Sequence, residues 1–321
     1  MEQKYIQCFR FPDEDMEWDF AMRIKRNCYD SFYPFQILTK HHFRQIDFEP
    51  ITILYGGNGS GKSTALNVVA EKIKAKRETL YNKSNFYGDY LDLCEAEYGI
   101  RRPGEIKIIT SDDVFDYMLN IRQLNQGIDV KREELFQEYL DAKYSDFKFR
   151  SMADYDRLKQ VNLSRRNTQS QFVRKSLMDN VREYSNGESA YRYFSEQIEE
   201  NGLYILDEPE NSLSPQKQIE LARFLEDSAR FFGCQFFIST HSPFLLAIKG
   251  AKIYDLDEDP VDVKRWTELE NVRVYREFFE KHKGNFRRHE ARKTDCCSDR
   301  KPGNFGACFW KYAENHGSFL L

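Results

Sequence analysis

The chain lacks any apolar run near the roughly 18 residues that a membrane-spanning helix requires, so direct membrane insertion is not expected. It lacks an excess of one charge. Its 48 Lys and Arg face 52 Asp and Glu, for a net charge of −4. That excludes a basic nucleic-acid coat as a whole-chain property and leaves a local basic patch open. The opening MEQKYIQCFRFPDEDMEWDF has no basic stretch leading into an apolar one, and no secretory signal is expected. Seven cysteines, scattered and odd in number, do not make a disulfide scaffold and suit a reducing cytoplasm. No internal repeat is visible, and no heptad run sustains an extended coiled coil. What is present is 321 residues, 40% of them hydrophobic, enough for one large or two small domains with a sizeable core.

The first fifty residues read as strands and turns, with short apolar-aromatic runs at Tyr5–Phe9, Phe35–Thr39 and Arg44–Phe48. Ile51–Tyr55 is a compact apolar run, followed by a glycine-rich turn and a helical pattern from Lys62 to about Lys76. Strand, glycine loop and helix make the βα unit of an α/β nucleotide-binding fold. Residues 77–100 are poorly periodic. Glu105–Thr110 reads as another buried strand. From Asp112 to Glu200 the pattern is helical and amphipathic, which predicts a helical subdomain (112–200) inserted into the sheet domain. Strands return at Leu203–Leu206, Cys234–Ser239 and Ala251–Leu256, with helices over about Ser214–Phe232 and Glu268–His282. One domain over 1–282 is expected, followed by a basic, poorly ordered tail over 283–321. A zinc site from Cys296, Cys297, Cys308 and His316 does not match paired-ligand spacing, and a nucleic-acid contact by the tail is the weaker alternative.

Four stretches carry chemistry. Gly56-Gly57-Asn58-Gly59-Ser60-Gly61-Lys62-Ser63 satisfies every fixed position of G-x-x-x-x-G-K-[ST], and Thr64 follows. Glycines let successive N–H groups face one centre and cradle phosphate oxygens, and the helix start adds positive potential. Lys62 is expected to reach the β- and γ-phosphates, and Ser63 to ligate Mg²⁺. Leu203–Leu206 runs into Asp207-Glu208-Pro209, with Asp207 placed for the metal's hydration shell and Glu208 as a general base on water. Ser185-Asn186-Gly187-Glu188 precedes a helical run over Ser189–Glu200. Ser185 can cap that helix or open a second phosphate site. His241, in Ser239-Thr240-His241-Ser242-Pro243, ends the next strand, near the expected γ-phosphate.

In this order the four stretches resemble the ATP-binding-cassette (ABC) ATPase family over roughly residues 45–260. GGNGSGKST is similar to its Walker A motif, YILDEPE to Walker B, YSNGE to a divergent signature and STHSP to the switch-histidine loop. DEPENSLSP is closer to the non-transporter branch of SMC-like, RecF-like and OLD-like ATPases. Two departures stand out. Ser111-Asp112-Asp113 follows EIKIIT where the family has a glutamine, with Gln123 and Gln126 too far on. Ser214 replaces the D-loop aspartate of transporters. An adenine-stacking aromatic is sought among Tyr29, Phe32 and Tyr33.

The resemblance implies an α/β P-loop fold of ABC type, with a mixed central sheet, an N-terminal antiparallel part and the inserted helical subdomain. It implies ATP and Mg²⁺ as cofactors, and ATP hydrolysis with Glu208 and His241 as catalytic residues. Gly57 through Thr64 would bind ATP, and Ser63 and Asp207 would hold Mg²⁺. Ser185, Asn186, Gly187 and Glu188 would act in trans in a homodimer formed on ATP binding. Expected partners are a second copy and an effector protein or DNA, in repair or anti-phage defence. The alternative is the nucleotide-binding subunit of an ABC transporter. No acidic cluster resembles a metal-dependent nuclease, and residues 62–185 are too few for the long arms of SMC proteins.

Overall fold

The computed structural model describes residues 4–24, 29, 31–148, 151–181 and 185–285. The chain forms two compact units, Met1–Trp266 and Thr267–Leu321. Among the described residues of the second is the helix α10 (Glu270–Lys281). The cysteine-bearing tail considered for zinc lies outside the described residues, as does Cys28. Cys8, Cys94 and Cys234 are free and buried.

In the first unit a three-stranded antiparallel sheet is formed by β1 (Ile6–Arg10), β2 (Gln45–Asp47) and β4 (Glu95–Tyr98), in the order β2-β1-β4. The larger sheet contains β3 (Ile51–Tyr55), β5 (Glu105–Thr110), β6 (Gly202–Asp207), β7 (Gln235–Ser239), β8 (Lys252–Asp255) and β9 (Asp262–Lys264). Its order is β5-β6-β7-β3-β8-β9, parallel except for β9. β3 and β7 are buried at every position, as parallel strands covered on both faces must be. Gln235 joins the two sheets from inside. Its Oε1 accepts the N–H groups of Tyr5 (2.8 Å) and Ile6 (3.0 Å), and its Nε2 donates to the Ile6 carbonyl (2.9 Å).

The helices are α1 (Glu14–Arg23), α2 (Lys62–Lys72), α3 (Tyr87–Leu93), α4 (Ser111–Tyr144), α5 (Tyr155–Arg166), α6 (Gln169–Ser176), α7 (Asn186–Gln197), α8 (Pro215–Phe231) and α9 (Pro243–Leu246). α2 buries Ala65, Leu66, Val68 and Val69 in the main core. α4 to α7 form the insertion between β5 and β6. α4 starts on a capping box in which Thr110 accepts from Asp113 N–H and the Asp113 carboxylate returns to Thr110 N–H. Its stripe of Val114, Met118, Ile128, Leu135 and Tyr139 keeps helical spacing. At its far end Leu135 and Tyr139 pack with Phe172 and Val173 of α6.

Local expectations needed correction at several places. α1 and α3 fall where strands, turns or no period were expected, because short helices docked by a few contacts leave a weak periodic signal. Phe35–Thr39 is a turn leading into a 3-10 helix at Thr39–His41. α2 stops at Lys72, and Lys76 instead bridges to Lys107 of β5. α7 begins at Asn186, three residues ahead of the expected Ser189, because Ser185 caps it.

Candidate functional site

The site lies at the carboxyl ends of β3, β6 and β7, where open parallel sheets place their ligands. From Tyr55 the chain turns through Gly56–Gly61 into α2. Gly59 (φ 84°) and Gly61 (φ 93°) are left-handed. A side chain at Gly61 would also meet Leu38 Cδ2 at 3.0 Å and Ile37 Cγ2 at 3.2 Å. Lys62 curls back so that Nζ donates to the carbonyls of Gly56 (2.7 Å) and Gly57 (2.9 Å). Burial pushes its pKa down, and the carboxylates of Glu208, Asp257 and Asp207 oppose that shift. On the outer side of the loop, Gly57 N–H donates to both oxygens of Asp257, at 2.7 and 2.8 Å.

β6 delivers Asp207 beside this loop. Its Oδ1 accepts the hydroxyl of Ser63 at 3.2 Å and that of Ser239. Burial raises the Asp207 pKa, and the two hydroxyl donors partly counter it. Glu208 has φ 48°, a left-handed conformation that costs a non-glycine residue about 1 kcal/mol or more. Its N–H donates to the Ser239 carbonyl at 3.1 Å, so the turn is held against the end of β7. Its Oε2 accepts Asn211 Nδ2 (3.0 Å), and its Oε1 lies 3.4 Å from His241 Nε2. Desolvation, reinforced by Lys62, lowers the His241 pKa below the usual imidazole value, while Glu208 and Asp257 oppose the shift. The shift favours the neutral imidazole.

Sequence reasoning did not single out Glu210. Its Oε1 accepts the His241 backbone N–H at 2.6 Å, while its Oε2 is buried without a hydrogen-bond partner. Burial raises its pKa. The available signal was a second acid two positions after Glu208, and the bond partner 31 residues away was invisible. Ser239, Asp257 and Asn211 were missed for the same reason.

A cavity of about 390 Å³ is lined by Asn58, Gly59, Gly61, Lys62, Ser63, Thr64 and Glu208, with Ile37 as its one apolar wall residue. The aromatic candidates pack elsewhere. The rings of Tyr29 and Phe32 lie 4.8 and 4.9 Å from Phe86, and that of Tyr33 lies 6.1 Å from Tyr87. Tyr33 still reaches Thr64 Oγ1 with its hydroxyl, at 3.4 Å. Where a glutamine was sought, Thr110 caps α4, and Gln123 and Gln126 are exposed along that helix.

The Ser185–Glu188 stretch is not part of this cavity. Ser185 and Glu188 close a capping box, with Ser185 Oγ donating to Glu188 Oε2 at 3.1 Å. Asn186 Oδ1 accepts Arg122 Nη2 at 2.7 Å. Gly187 lies against the loop at Ser212–Ser214. A second cavity, about 440 Å³, opens here between Phe115, Met118, Arg122, Asn186 and Ser214.

The donor set suits a hard divalent cation. A serine hydroxyl and a buried carboxylate stand side by side, all oxygen, as Mg²⁺ prefers. Among the described residues no group of three or more His, Cys, Asp or Glu could hold a metal alone, so phosphate oxygens would complete such a shell.

A phosphate-cradling loop after the central strand, with an acid at the end of a parallel strand two places away, defines a P-loop nucleotide-binding protein. The family model described as "ABC transporter" matches residues 44–211, just over half of the chain. The chain belongs to this family and carries an ABC-type ATPase domain. A second model, "AAA domain, putative AbiEii toxin, Type IV TA system", matches residues 179–247. No curated protein matches. Similar solved structures include the SMC head domain from Thermotoga maritima (13% identity, 69% of this chain and 92% of that one, TM-score 0.33). An Smc head domain from Pyrococcus furiosus, bound to the C-terminal domain of ScpA, is also similar (13%, 73% and 94%, 0.34). So is a dimeric bacterial ABC transporter cassette (12%, 70% and 90%, 0.34). Among the described residues no helix is long and apolar enough to cross a membrane.

Proposed function

We propose that the chain binds and hydrolyses ATP and acts as a nucleotide-gated dimeric switch in the cytoplasm, with DNA or an effector protein as its partner. The observation that carries this is the convergence of Lys62, Ser63, Asp207, Glu208 and His241, from three strand ends, on one cleft. The Gly57–Thr64 loop binds the triphosphate through its amides and Lys62. Mg²⁺, held by Ser63 and Asp207, would supply charge neutralisation at the phosphates. Glu208 takes a proton from the attacking water, and neutral His241 donates a hydrogen bond toward the γ-phosphate. Water adds to the γ-phosphorus, the bond to the β-bridging oxygen breaks, and ADP and phosphate leave.

The signature reading in trans is supported by the separation of Ser185–Glu188 from the chain's own phosphate cavity. A second copy would bring that surface over the bound nucleotide, so ATP closes the dimer and hydrolysis opens it. The toxin–antitoxin wording of the family matched at residues 179–247 supports a setting in defence. The apolar walls of the second cavity, Phe115 and Met118, favour the alternative of a transporter subunit receiving a membrane partner. The absence of a glutamine after β5 speaks against it.

Glu208→Gln tests the reading. Turnover should fall about 100-fold or more while ATP affinity stays and a dimer accumulates with ATP and Mg²⁺. Turnover at the wild-type rate would refute the general-base role.

A further inference from the structure

In a chain of net charge −4, the 33 residues from Lys143 to Lys175 carry nine Lys or Arg and only three acids, a local charge of +6. The described residues of this stretch form the far tip of the helical insertion, where α5 and α6 fold back on the end of α4. Two cations meet at Asn167 in the α5–α6 turn, and a third, from α5, reaches back to the end of α4. Lys143 of α4 donates to Tyr139 Oη at 2.5 Å, and that hydroxyl donates to the Asn167 carbonyl at 3.2 Å. Lys175 of α6 donates to Asn167 Oδ1 at 2.8 Å. Arg165 of α5 donates to the Ser145 carbonyl at 3.4 Å.

All of these acceptors are neutral. Among the described residues none of these three cations is held by a carboxylate, whereas the same long helix pairs Lys131 with Glu134 one stretch earlier. The fold does not require the cations, since Leu135, Tyr139, Phe172 and Val173 already hold the tip together. Like charges gathered at one spot repel, and the arrangement becomes favourable when a polyanion supplies the counter-charge. The outward positions between Lys159 and Lys175 include Gln160, Asn162 and Gln171, all exposed amides. Such groups hydrogen-bond to phosphate and sugar oxygens, and the exposed rings of Tyr144 and Tyr155 can stack on bases. Among the described residues Met152 is the one large aliphatic side chain exposed among the cations, fewer than an anionic bilayer would be met by.

We propose that this tip is a docking surface for the phosphate backbone of a nucleic acid, with Lys143, Arg165 and Lys175 as its phosphate contacts. α4 starts where β5 ends, at Thr110, which pairs with Asp207 in the sheet. Its 34 residues span about 50 Å, so one continuous helix links the phosphate cleft to the tip. The surface is distinct from the ATP cleft and its binding is read without nucleotide, so its failure leaves the ATPase reading untouched.

The test is fluorescence anisotropy of the full chain with a labelled 30-base-pair DNA duplex, the corresponding single strand and an RNA duplex, at rising salt. The wild type should bind at least one probe at 50 mM salt and release it as salt increases. The triple variant Lys143→Gln, Arg165→Gln, Lys175→Gln should bind a duplex at least tenfold more weakly. Its slope of log affinity against log salt should be shallower by about 2.7, at about 0.9 per lost phosphate contact. Its ATP affinity should be unchanged. Should the triple variant misfold, Lys143→Gln and Lys175→Gln singly should each weaken binding about threefold. No binding to any probe, equal binding by wild type and variants, or binding to phosphatidylserine vesicles instead of nucleic acid would overturn the proposal.

Discussion

Glu210 Oε1 accepts the backbone N–H of His241 at 2.6 Å, tying the turn after β6 to the turn after β7. The bond sets where the imidazole stands relative to Glu208, yet it leaves the other Glu210 oxygen buried and unpartnered. Burial raises the Glu210 pKa in the folded state. A group raised in this way weakens the fold once pH climbs through its folded pKa, and the penalty disappears below the ordinary carboxylate value of about 4.3. Glu210→Gln keeps an acceptor for His241 N–H and removes the buried charge. Its melting temperature should exceed that of the wild type at pH 8, by a few degrees, with the gap closing toward pH 4. Thermal melts across that range check it. Glu210→Ala removes the acceptor and should lower turnover about tenfold with ATP affinity retained.

Asp257 holds the outer edge of the phosphate loop through Gly57 N–H. Asparagine at 257 keeps an oxygen acceptor and alanine does not, while both remove the charge. Comparing the two isolates the hydrogen bond, worth about 1 kcal/mol. Asp257→Ala should therefore bind ATP about fivefold more weakly than Asp257→Asn, by calorimetric titration, with little difference in turnover at saturating ATP.

Gly61 combines a left-handed φ of 93° with contacts that a methyl group would tighten against Leu38 and Ile37. Gly61→Ala must shift the loop or those side chains at a cost of about 1–2 kcal/mol. Because the strain falls on the amides that face phosphate, ATP affinity should drop at least tenfold, while the melting temperature of the nucleotide-free chain should fall only slightly.

Gln235 is fully buried and bonds backbone groups of β1 from within β7. Gln235→Leu preserves size but strands two N–H groups and a carbonyl away from water. A loss of about 3 kcal/mol is expected from the desolvation of those groups. Urea denaturation would measure it, and the larger sheet should keep its secondary structure until the common transition.

Much of the site was legible because its chemistry is local. The loop Gly56–Ser63 is contiguous, and its glycines announce the backbone conformation they permit. The strands Ile51–Tyr55 and Glu105–Thr110 were read at their observed bounds, the first because a strand covered on both faces is a near-continuous apolar run, the second because Ile106, Ile108 and Ile109 give an apolar β-branched run despite Lys107. Of the two readings of Ser185, cap or phosphate-binding helix start, the cap is what this chain's own structure shows, and Glu188 completes it as a capping box. An adenine-stacking aromatic was not legible. Tyr29, Phe32 and Tyr33 pack against Phe86 and Tyr87 of α3 and its lead-in, and Ile37 is the apolar residue that lines the cavity.

Residue order alone was sufficient for the phosphate loop, its flanking strand and helix, and the acids at the end of β6, because each depends on neighbours within a few positions. The bonds Glu210–His241, Asp257–Gly57 and Gln235–Ile6 span 31, 200 and 229 residues. They exist only because strand order in the sheet brings distant chain ends together. The same holds for the cationic tip, where three helices meet on a small apolar cluster. Pairing and packing between remote segments are decided by burial across the whole fold, which no local window contains.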